Sequence, residues 1–291
     1  GGIKLDLEQK SIERLKLASK MSLKYYGKPL LLAYSGGKDS DVMLEMAIRS
    51  GIPFEVQNSH TTADAPETVR HIRKKFRELE LKGIKCTINK PVYQGKRISM
   101  WTLIPIMVFP PTRASRYCCR VLKESAGDGR MISTGVRWDE STQRSARGKM
   151  EIIGSTKKSK IILTNDNDTQ RRFFEKCEVR AKSVCNPIIE WTNTDIWEFI
   201  RSEKIETNPL YECGFDRVGC IGCPLSGKQR YFHFRKYPKY KNLYIRAFDR
   251  MIQERLRRGL ETQWKTGKEV YAWWMNEDIN QMELSDFIAT S

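Results

Sequence analysis

The stretch Leu30-Leu-Leu-Ala-Tyr-Ser-Gly-Gly-Lys-Asp-Ser40 decides the fold of this chain. Its apolar start, residues 30–34, is typical of a buried parallel strand, and Gly36 and Gly37 interrupt that strand. Apolar residues then recur at helical spacing, which predicts a helix over residues 38–50. A strand, a glycine turn and a helix start form a phosphate-binding arrangement, because glycines admit an anion close to the backbone and the first helical N–H groups point at it.

The side chains of this turn suit the same ligand. Lys38 adds a formal positive charge, and Ser35 and Ser40 add hydroxyl donors. Asp39 suits either a Mg²⁺ ion or the capping of the helix, and we expect Lys38 to be exposed at the helix start. The spacing is neither GxxxxGK[ST] nor GxGxxG, so an ordinary strand-to-helix turn is the alternative interpretation.

Strands and helices alternate beyond this turn. Strands are predicted over residues 54–58, 84–88 and 131–136, with a helix over 66–81, which indicates an α/β fold with a doubly wound parallel sheet. Ligands of such sheets lie at the C-terminal strand ends, where the loop that begins at His60 is also expected. Elsewhere we expect a lead-in helix over 4–27, irregular structure over 90–117, a loop or small hairpin over 145–176, an edge strand over 186–189 and a helix over 195–203.

Composition bounds the partners. The 291 residues are 40% hydrophobic, and 52 basic against 35 acidic residues give a net charge of +17. That excess favours a polyanionic partner or a strongly anionic substrate, with a solubilising basic surface as the alternative. No apolar run approaches the ~20 residues of a membrane span, and scattered Lys and Glu near the start do not resemble a signal peptide. We therefore expect a cytoplasmic protein with no membrane partner.

Residues 225–260 differ in character from the rest. They hold eleven Lys or Arg, two acidic residues and seven interleaved aromatics. Such a stretch suits a nucleic-acid backbone, gripped by Arg235, Lys236, Lys239 and Lys241, with aromatics stacking on unpaired bases. The alternative is a pair of amphipathic helices whose aromatics form a core. We accordingly predict one domain over residues 1–224 and a basic, helical C-terminal region over 225–291.

The eight cysteines include two close pairs, Cys118-Cys119 and the CxxC of Cys220 and Cys223. Four soft thiolates suit an iron–sulfur cluster, a structural zinc ion, or buried and redox-active thiols. Adjacent ligands are awkward for a compact tetrahedral zinc site, which favours the cluster. Cys213 lies nearby in sequence, either as a small buried residue or as a sulfur relay.

Several separated motifs resemble known families. The Ser35 to Ser40 turn resembles the PP-loop of ATP pyrophosphatases, and residues 60–68 resemble the loop after the second strand in the phosphoadenosine phosphosulfate (PAPS) reductase family. Gly135-Val-Arg137-x-x-Glu140-Ser141-x-x-Arg144 is similar to that family's nucleotide loop, and residues 186–197 are similar to its "PL.WT..DVW" segment. Together the motifs cover roughly residues 28–224.

This resemblance implies an adenine nucleotide alpha hydrolase-like, Rossmann-like fold that binds ATP with Mg²⁺. It assigns nucleotide contacts to the six residues of the turn and to His60, Gly135, Arg137 and Arg144, and catalytic roles to Lys38, Asp39 and Arg137. For the two arginines the alternative is structural ion pairing with Asp139 or Glu140.

Within the family the chain resembles the iron–sulfur branch. Arg116-Tyr-Cys118-Cys119-Arg120 and the segment from Asn208 to Pro224 match motifs of adenylylsulfate (APS) reductases, which implies a [4Fe–4S] cluster on Cys118, Cys119, Cys220 and Cys223. Those reductases use a cysteine in a C-terminal tail, whereas the last cysteine of this sequence is Cys223. We therefore expect a different reaction.

The reaction implied by the resemblance is adenylation of an acceptor by ATP, followed by sulfur transfer. The sulfur-insertion proteins of DNA phosphorothioation are the nearest functional match and iron–sulfur tRNA thiolases the next, so DNA is favoured over tRNA as the partner. A cysteine desulfurase is the expected sulfur donor, and a homodimer is compatible with the sequence. The alternatives are an APS/PAPS-type sulfonucleotide reductase and a non-catalytic redox or nucleotide sensor.

Overall fold

The computed structural model describes residues 2–123, 129–140, 149–153, 160–163 and 182–276. The chain divides into two compact units. The first, here called the sheet unit, comprises Gly1–Ser59, Pro66–Asn89 and Ala126–Val218. The second, here called the cysteine unit, comprises His60–Ala65, Lys90–Ser125 and Gly219–Ser291.

The helices and strands have the following bounds. The helices are α1 (Gly2–Tyr26), α2 (Lys38–Ser50), α3 (Pro66–Leu81), α4 (Met100–Met107), α5 (Tyr117–Leu122), α6 (Asn193–Ser202), α7 (Gln229–Lys236), α8 (Pro238–Arg257) and α9 (Gly267–Met275). The strands are β1 (Leu30–Ala33), β2 (Phe54–Ser59), β3 (Cys86–Asn89), β4 (Val92–Tyr93), β5 (Lys96–Arg97), β6 (Met131–Ser133), β7 (Met150–Ile153), β8 (Lys160–Leu163) and β9 (Lys182–Cys185).

The sheet unit is a doubly wound α/β fold, as predicted. Within the described residues its strands run in the order β3-β2-β1-β6-β9-β7-β8. The first five are parallel, and β7 and β8 join antiparallel to β9 and to each other. Strands β2 and β3 lie on one side of β1, and β6 and β9 lie on the other. The loop after β1 is therefore at a topological switch point, where α/β sheets bind their ligands.

The core of the sheet unit explains why α2 follows the first strand. Leu30 and Leu32 of β1 are fully buried, as are Val42 and Met46 of α2. These apolar residues occupy the strand and helix positions that the sequence pattern predicts. Gly51 ends α2 with a left-handed backbone, φ 67°, which glycine adopts without strain.

One predicted strand was misplaced. Residues 186–189, expected to be an edge strand, form a turn, and the strand is β9, which lies between β6 and β7. Pro187 has no N–H for a sheet, and its carbonyl instead accepts hydrogen bonds from Ser11 Oγ (3.0 Å) and Arg14 Nη1 (3.1 Å). The β7–β8 hairpin falls within the insertion predicted over residues 145–176, and the rest of that segment lies outside the described residues.

The cysteine unit is built mainly of short helices around aromatic residues. Trp274 of α9 packs against Tyr244 and Phe248 of α8, with ring centroids 4.7 and 5.4 Å apart. Trp274 Nε1 donates to the Pro111 carbonyl at 2.6 Å, and Tyr244 also meets Trp101 of α4 at 4.9 Å. These contacts tie residues 90–125 to the C-terminal helices. The predicted domain boundary after residue 224 therefore does not coincide with the division between the units.

Across the described residues, no helix combines the length and the apolar character that crossing a membrane requires.

Candidate functional site

The turn after β1 depends on a close approach of its first glycine. Gly36 has φ +73°, and a Cβ at this position would lie 2.8 Å from Ile72 Cγ1 of α3. Its carbonyl accepts from Asn208 Nδ2 at 3.1 Å, and the same nitrogen donates to Thr68 Oγ1 at 3.1 Å. Only glycine fits this backbone conformation and this space, so the contacts of Gly36 fix the conformation of the turn.

At the start of α2 some backbone groups are hydrogen-bonded within the protein, and others are left open. Ser40 Oγ donates to the Gly37 carbonyl at 2.7 Å, and the first intrahelical bond runs from Asp41 N to the same carbonyl at 3.0 Å. Lys38 N donates to the Tyr211 hydroxyl at 2.9 Å. Within the described residues the N–H groups of Asp39 and Ser40 have no acceptor. A helix start of this kind attracts an anion.

Lys38 is buried, and the expectation of an exposed side chain was wrong. It is 6% exposed. Its Nζ lies 3.4 Å from Asp39 Oδ2 and 5.8 Å from the centroid of the Tyr211 ring. The ring of Tyr211, distant in sequence, lies beside Lys38, and a one-dimensional pattern does not reveal this burial. A buried ammonium is weakly screened, so it attracts a phosphate more strongly than an exposed one does.

Arg137 and Asp39 form the second ion pair of the turn. Arg137 is 2% exposed, and its Nε lies 2.7 Å from Asp39 Oδ1. Its Nη1 donates to the Trp191 carbonyl at 3.2 Å and lies 3.5 Å from Asp139 Oδ2. The structure therefore shows Arg137 in structural ion pairs, one of them the predicted alternative with Asp139, while its contact with a phosphate stays a prediction.

Asp39 is held by two cations and does not cap α2, whose N-cap residue is Gly37. Gly135 lies against the same helical turn, because a Cβ there would come within 3.1 Å of the carbonyl carbon and oxygen of Asp39. The loop that carries Arg137 thus packs directly on the phosphate-binding turn. Arg144, predicted to contact the nucleotide, lies outside the described residues.

A buried polar network lies beneath the turn. The Tyr34 hydroxyl donates to Asp41 Oδ1 at 2.6 Å and lies 3.2 Å from His71 Nε2. Burial and the neighbouring charge of Asp41 hold the pKa of Tyr34 well above its ordinary value. The hydroxyl therefore stays protonated and links α2 to α3.

Two side chains of the turn were missed as site residues by the sequence analysis. Asn208 and Tyr211 were noted only as part of the cysteine motif, yet both bond the backbone of the turn. Burial raises the pKa of Tyr211, and the carboxylates of Asp39 and Asp41 raise it further. Because they lie about 170 residues from the turn in sequence, no local sequence pattern indicates their contact with it.

The four paired cysteines all belong to the cysteine unit. Cys118 and Cys119 lie on α5, and Cys220 and Cys223 lie in the turn before residues 224–226. Within the described part of the chain, no three His, Cys, Asp or Glu side chains are grouped closely enough to hold a single metal ion. The structure therefore places the predicted ligands in one unit without showing a metal site.

Positive groups surround these thiols. Arg116 Nη2 lies 3.6 Å from Cys119 Sγ. The hydrogen bond from Cys118 lowers the pKa of Cys119, with help from the charges of Lys123 and Arg116. The charge of Cys220 raises the pKa of Lys123, as does that of Asp64. Four soft donors with two compensating cations fit the chemistry of an anionic thiolate-bound cluster.

Cys220 is the most deeply placed of the four. Burial raises the pKa of its thiol to about 11, and its Sγ lies 3.3 Å from Thr61 Oγ1. Asp64 forms an antiparallel bridge with Cys220, and its carboxylate lies 3.4 Å from His60 Nδ1. The structure thus groups His60 with the cysteine unit, and its predicted contact with the nucleotide stays a prediction.

The basic stretch over residues 225–260 forms α7 and α8, and three of its seven aromatic side chains are buried. Phe234, Tyr244 and Phe248 are buried, so the interpretation that these rings stack on bases was wrong for them. Helical spacing turns these rings into the cysteine unit, and eight of the eleven basic side chains of the stretch are exposed, while Arg230 is buried. Of the four predicted nucleic-acid contacts, Arg235, Lys239 and Lys241 are exposed, while Lys236 is half-buried.

The phosphate-binding turn, the Gly135 loop and the cysteine segments all fall within one family match. Residues 29–226 match the phosphoadenosine phosphosulfate reductase domain. The chain belongs to this family. Two uncharacterised proteins of Methanocaldococcus jannaschii are 26% and 27% identical over 68% and 84% of this chain. The chain spans 36% and 53% of their lengths, about half or less.

An adenosine 5'-phosphosulfate reductase of Bacillus cereus is 24% identical over 69% of this chain and 76% of its own length. These likenesses agree with the resemblance to PAPS and APS reductases predicted from the motifs.

Proposed function

We propose that this member of the PAPS reductase domain family is an ATP pyrophosphatase that adenylates a nucleic-acid acceptor for iron–sulfur-dependent sulfur transfer. The observation that carries the proposal is the buried ammonium of Lys38 beside the open N–H groups of Asp39 and Ser40. This arrangement suits a polyphosphate, and the four paired cysteines of the same chain suit sulfur chemistry.

In the first step an acceptor oxygen attacks the α-phosphorus of ATP. A phosphorus–oxygen bond forms, the bond to the β-phosphate breaks, and pyrophosphate leaves. Lys38 and the N–H groups of the turn stabilise the departing negative charge, because they are already in place before the ligand arrives. Arg137 holds Asp39 and so fixes the first turn of α2, and Mg²⁺ enters with ATP.

In the second step sulfide displaces AMP from the adenylated acceptor. A bond to sulfur forms and the bond to the AMP oxygen breaks, with no net change in oxidation state. When the sulfur arrives as a persulfide on a cysteine desulfurase, a thiol reductant supplies the two electrons that release it as sulfide. A [4Fe–4S] cluster on Cys118, Cys119, Cys220 and Cys223 would supply a binding site for that sulfur. Arg116 and Lys123 would balance its negative charge.

The exposed basic side chains of α7 and α8 support a nucleic-acid acceptor. With four to six phosphates engaged, the logarithm of affinity should fall against the logarithm of salt with a slope of about −4 to −5 on duplex DNA and about −3 to −4 on single strands. Changing Arg235, Lys236, Lys239 and Lys241 to Gln should flatten that slope by several units and leave ATP binding unchanged. Unaltered nucleic-acid binding by this variant would show that these basic side chains contact only solvent.

A sulfonucleotide reductase is the second candidate, favoured by the likeness to the B. cereus reductase. It predicts sulfite release from APS or PAPS and no dependence on nucleic acid. The deciding experiment supplies reconstituted protein with ATP and sulfide and measures pyrophosphate release with duplex DNA, with tRNA and with neither. Release that requires DNA or tRNA supports adenylation of that acceptor. Sulfite release from APS, with no pyrophosphate formed under any condition, contradicts the proposal.

A further inference from the structure

The outer face of α3 carries a row of basic side chains that acidic residues compensate only in part. Arg70, Arg73, Lys74 and Arg77 recur at spacings of three and four residues, which places them on one face of the helix, and all four are exposed. The opposite face is buried, and its Thr68 and Ile72 lie against Gly36 of the phosphate-binding turn. One helix thus supports the turn on one side and presents cations on the other.

Acidic partners neutralise only part of this row. Lys74 Nζ lies 2.6 Å from Glu206, and the Arg70 guanidinium lies 3.9 Å from Glu67. Within the described residues no carboxylate pairs with Arg73 or Arg77, and the Arg77 Nε donates only to the Arg73 carbonyl at 3.3 Å. Guanidinium groups left in this state match phosphate oxygens in a bidentate way.

Two open pockets flank Arg73 and Arg77. The first, of about 490 Å³, is bordered by the whole basic row together with Glu206 and Pro209. The second, of about 400 Å³, is lined by Arg73, Arg77 and Glu80 and has an apolar side formed by Phe76, Cys86 and Ile88. Ile88 is 37% exposed there. Cations beside an apolar recess match a phosphate backbone beside an unpaired base.

We propose that this face of α3 binds a single-stranded segment of the acceptor nucleic acid. The proposal rests on the proposed function, and it adds a second contact surface on the sheet unit. Residues 70–77 span about 10 Å of helix, while a strand whose bases stay stacked as in B-DNA carries a phosphate every 3.4 Å or so along its axis. The row therefore meets about three phosphates, and the recess beside it accepts one base.

The test uses full-length protein and fluorescent oligonucleotides of one sequence, as single-stranded DNA, single-stranded RNA and duplex DNA, across a salt series. The variant R70Q/R73Q/R77Q removes three exposed charges of the row, two of which have no carboxylate partner in the described residues. The variant K16Q/K20Q/K82Q removes three exposed charges elsewhere in the sheet unit. The variant R70K/R73K/R77K keeps the charge, and thermal unfolding midpoints check that each variant is folded.

The glutamine variant of α3 should flatten the salt slope on single strands by about two units. The control should match the parent, and the lysine variant should restore most of the slope. I88S should weaken single-strand binding at every salt concentration without changing the slope, whereas L81S, at a 90% exposed position on the same unit, should have no effect. Equal affinity for single-stranded DNA and RNA would mean that the row recognises the phosphate backbone. A higher affinity for one of them would identify the acceptor class.

Identical slopes for the α3 variant and its control, with the parent binding nucleic acid, overturn this inference and leave the proposed function standing. A parent that binds no oligonucleotide at any salt concentration overturns the proposed function itself. Saturable binding of inorganic pyrophosphate that R70Q/R73Q/R77Q abolishes, with its nucleic-acid slope unchanged, makes the row a small-anion site and also overturns the inference.

Discussion

The phosphate-binding turn and the four paired cysteines, here called the cysteine centre (Cys118, Cys119, Cys220 and Cys223), differ in how charged groups are arranged around them. In the turn, Lys38 and Arg137 face one carboxylate, that of Asp39, and Tyr211 already accepts the N–H of Lys38. In the cysteine centre, cations surround thiols whose pKa values move apart, upward for Cys220 because of burial and downward for Cys119 because of its hydrogen bond from Cys118. The turn is ordered by its own side chains and leaves the N–H groups of Asp39 and Ser40 open within the described residues, whereas burial keeps the Cys220 thiol protonated.

This difference separates two ways of building a site. The turn is preorganised, so binding a ligand should change its conformation little and should cost little conformational entropy. A cluster on the four paired cysteines would instead be coupled to its ligands, because a bound metal group releases thiol protons and draws the ligands together. The two regions should therefore respond differently to mutation.

The largest effect is expected at the cysteine centre. Cys119→Ala or Cys220→Ala should bleach the brown, anaerobically reconstituted protein, which should otherwise hold about four iron atoms per chain. Iron and acid-labile sulfide assays measure this, and Cys86→Ala, at a half-buried position on β3, serves as the control. A colourless parent protein with one zinc ion per chain would contradict the cluster.

The second effect concerns the preorganisation of the turn. Arg137→Gln leaves the Asp39 carboxylate without its closest partner inside the sheet unit, which should cost about 3 kcal/mol of unfolding free energy. Urea denaturation of the ligand-free protein measures it. Arg257→Gln, whose ion pair with Glu254 is exposed, should leave stability nearly unchanged. Equal stability of both variants would show that the turn is not held by its own ion pairs.

The third change separates ligand binding from stability. Lys38→Ala should weaken the hold on the polyphosphate by about 2–3 kcal/mol, because a charge-assisted contact is lost. Pyrophosphate release at low ATP should fall roughly 30- to 150-fold. Lys82→Ala, at an exposed position, is the control. Unchanged release by Lys38→Ala would place the phosphates elsewhere.

The smallest effect is a pH dependence in the sheet unit. Burial would raise the pKa of Glu190, but the hydrogen bond and charge of Arg14, at 2.8 Å, and the charge of Lys149 lower it below 4.5. A carboxylate with a lowered folded-state pKa stabilises the fold above its ordinary pKa and loses that contribution as the pH falls. Stability should decline as the pH drops below about 5.

Glu190→Gln should be less stable than the parent at neutral pH, and the gap should close as the pH falls. Thermal unfolding across this pH range measures it. A gap that does not change with pH would show that the Arg14 pair contributes nothing through the charge of Glu190.

The sequence predicts local features well and long-range ones poorly. The strand, glycine turn and helix around Gly36 follow from apolar spacing and glycine alone, and α2 has its predicted bounds. The burial of Lys38, the pairing of Arg137 with Asp39 and the hydroxyl of Tyr211 depend on segments that meet only after folding. The burial of Tyr244 and Phe248 agrees with the alternative of amphipathic helices with core aromatics, but the residues that cover these rings, on α9 and in 90–125, meet α8 only after folding.

The central claim is that ATP cleavage activates a nucleic acid for sulfur insertion, and one measurement tests it most directly. Reconstituted protein is given ATP, sulfide and DNA or tRNA, and the nucleic acid is digested and analysed by mass spectrometry while AMP is quantified. The account predicts one sulfur atom incorporated per AMP and pyrophosphate released, and no incorporation with Lys38→Ala. AMP formed without sulfur in either nucleic acid, or sulfite formed from APS at the same site, would contradict it.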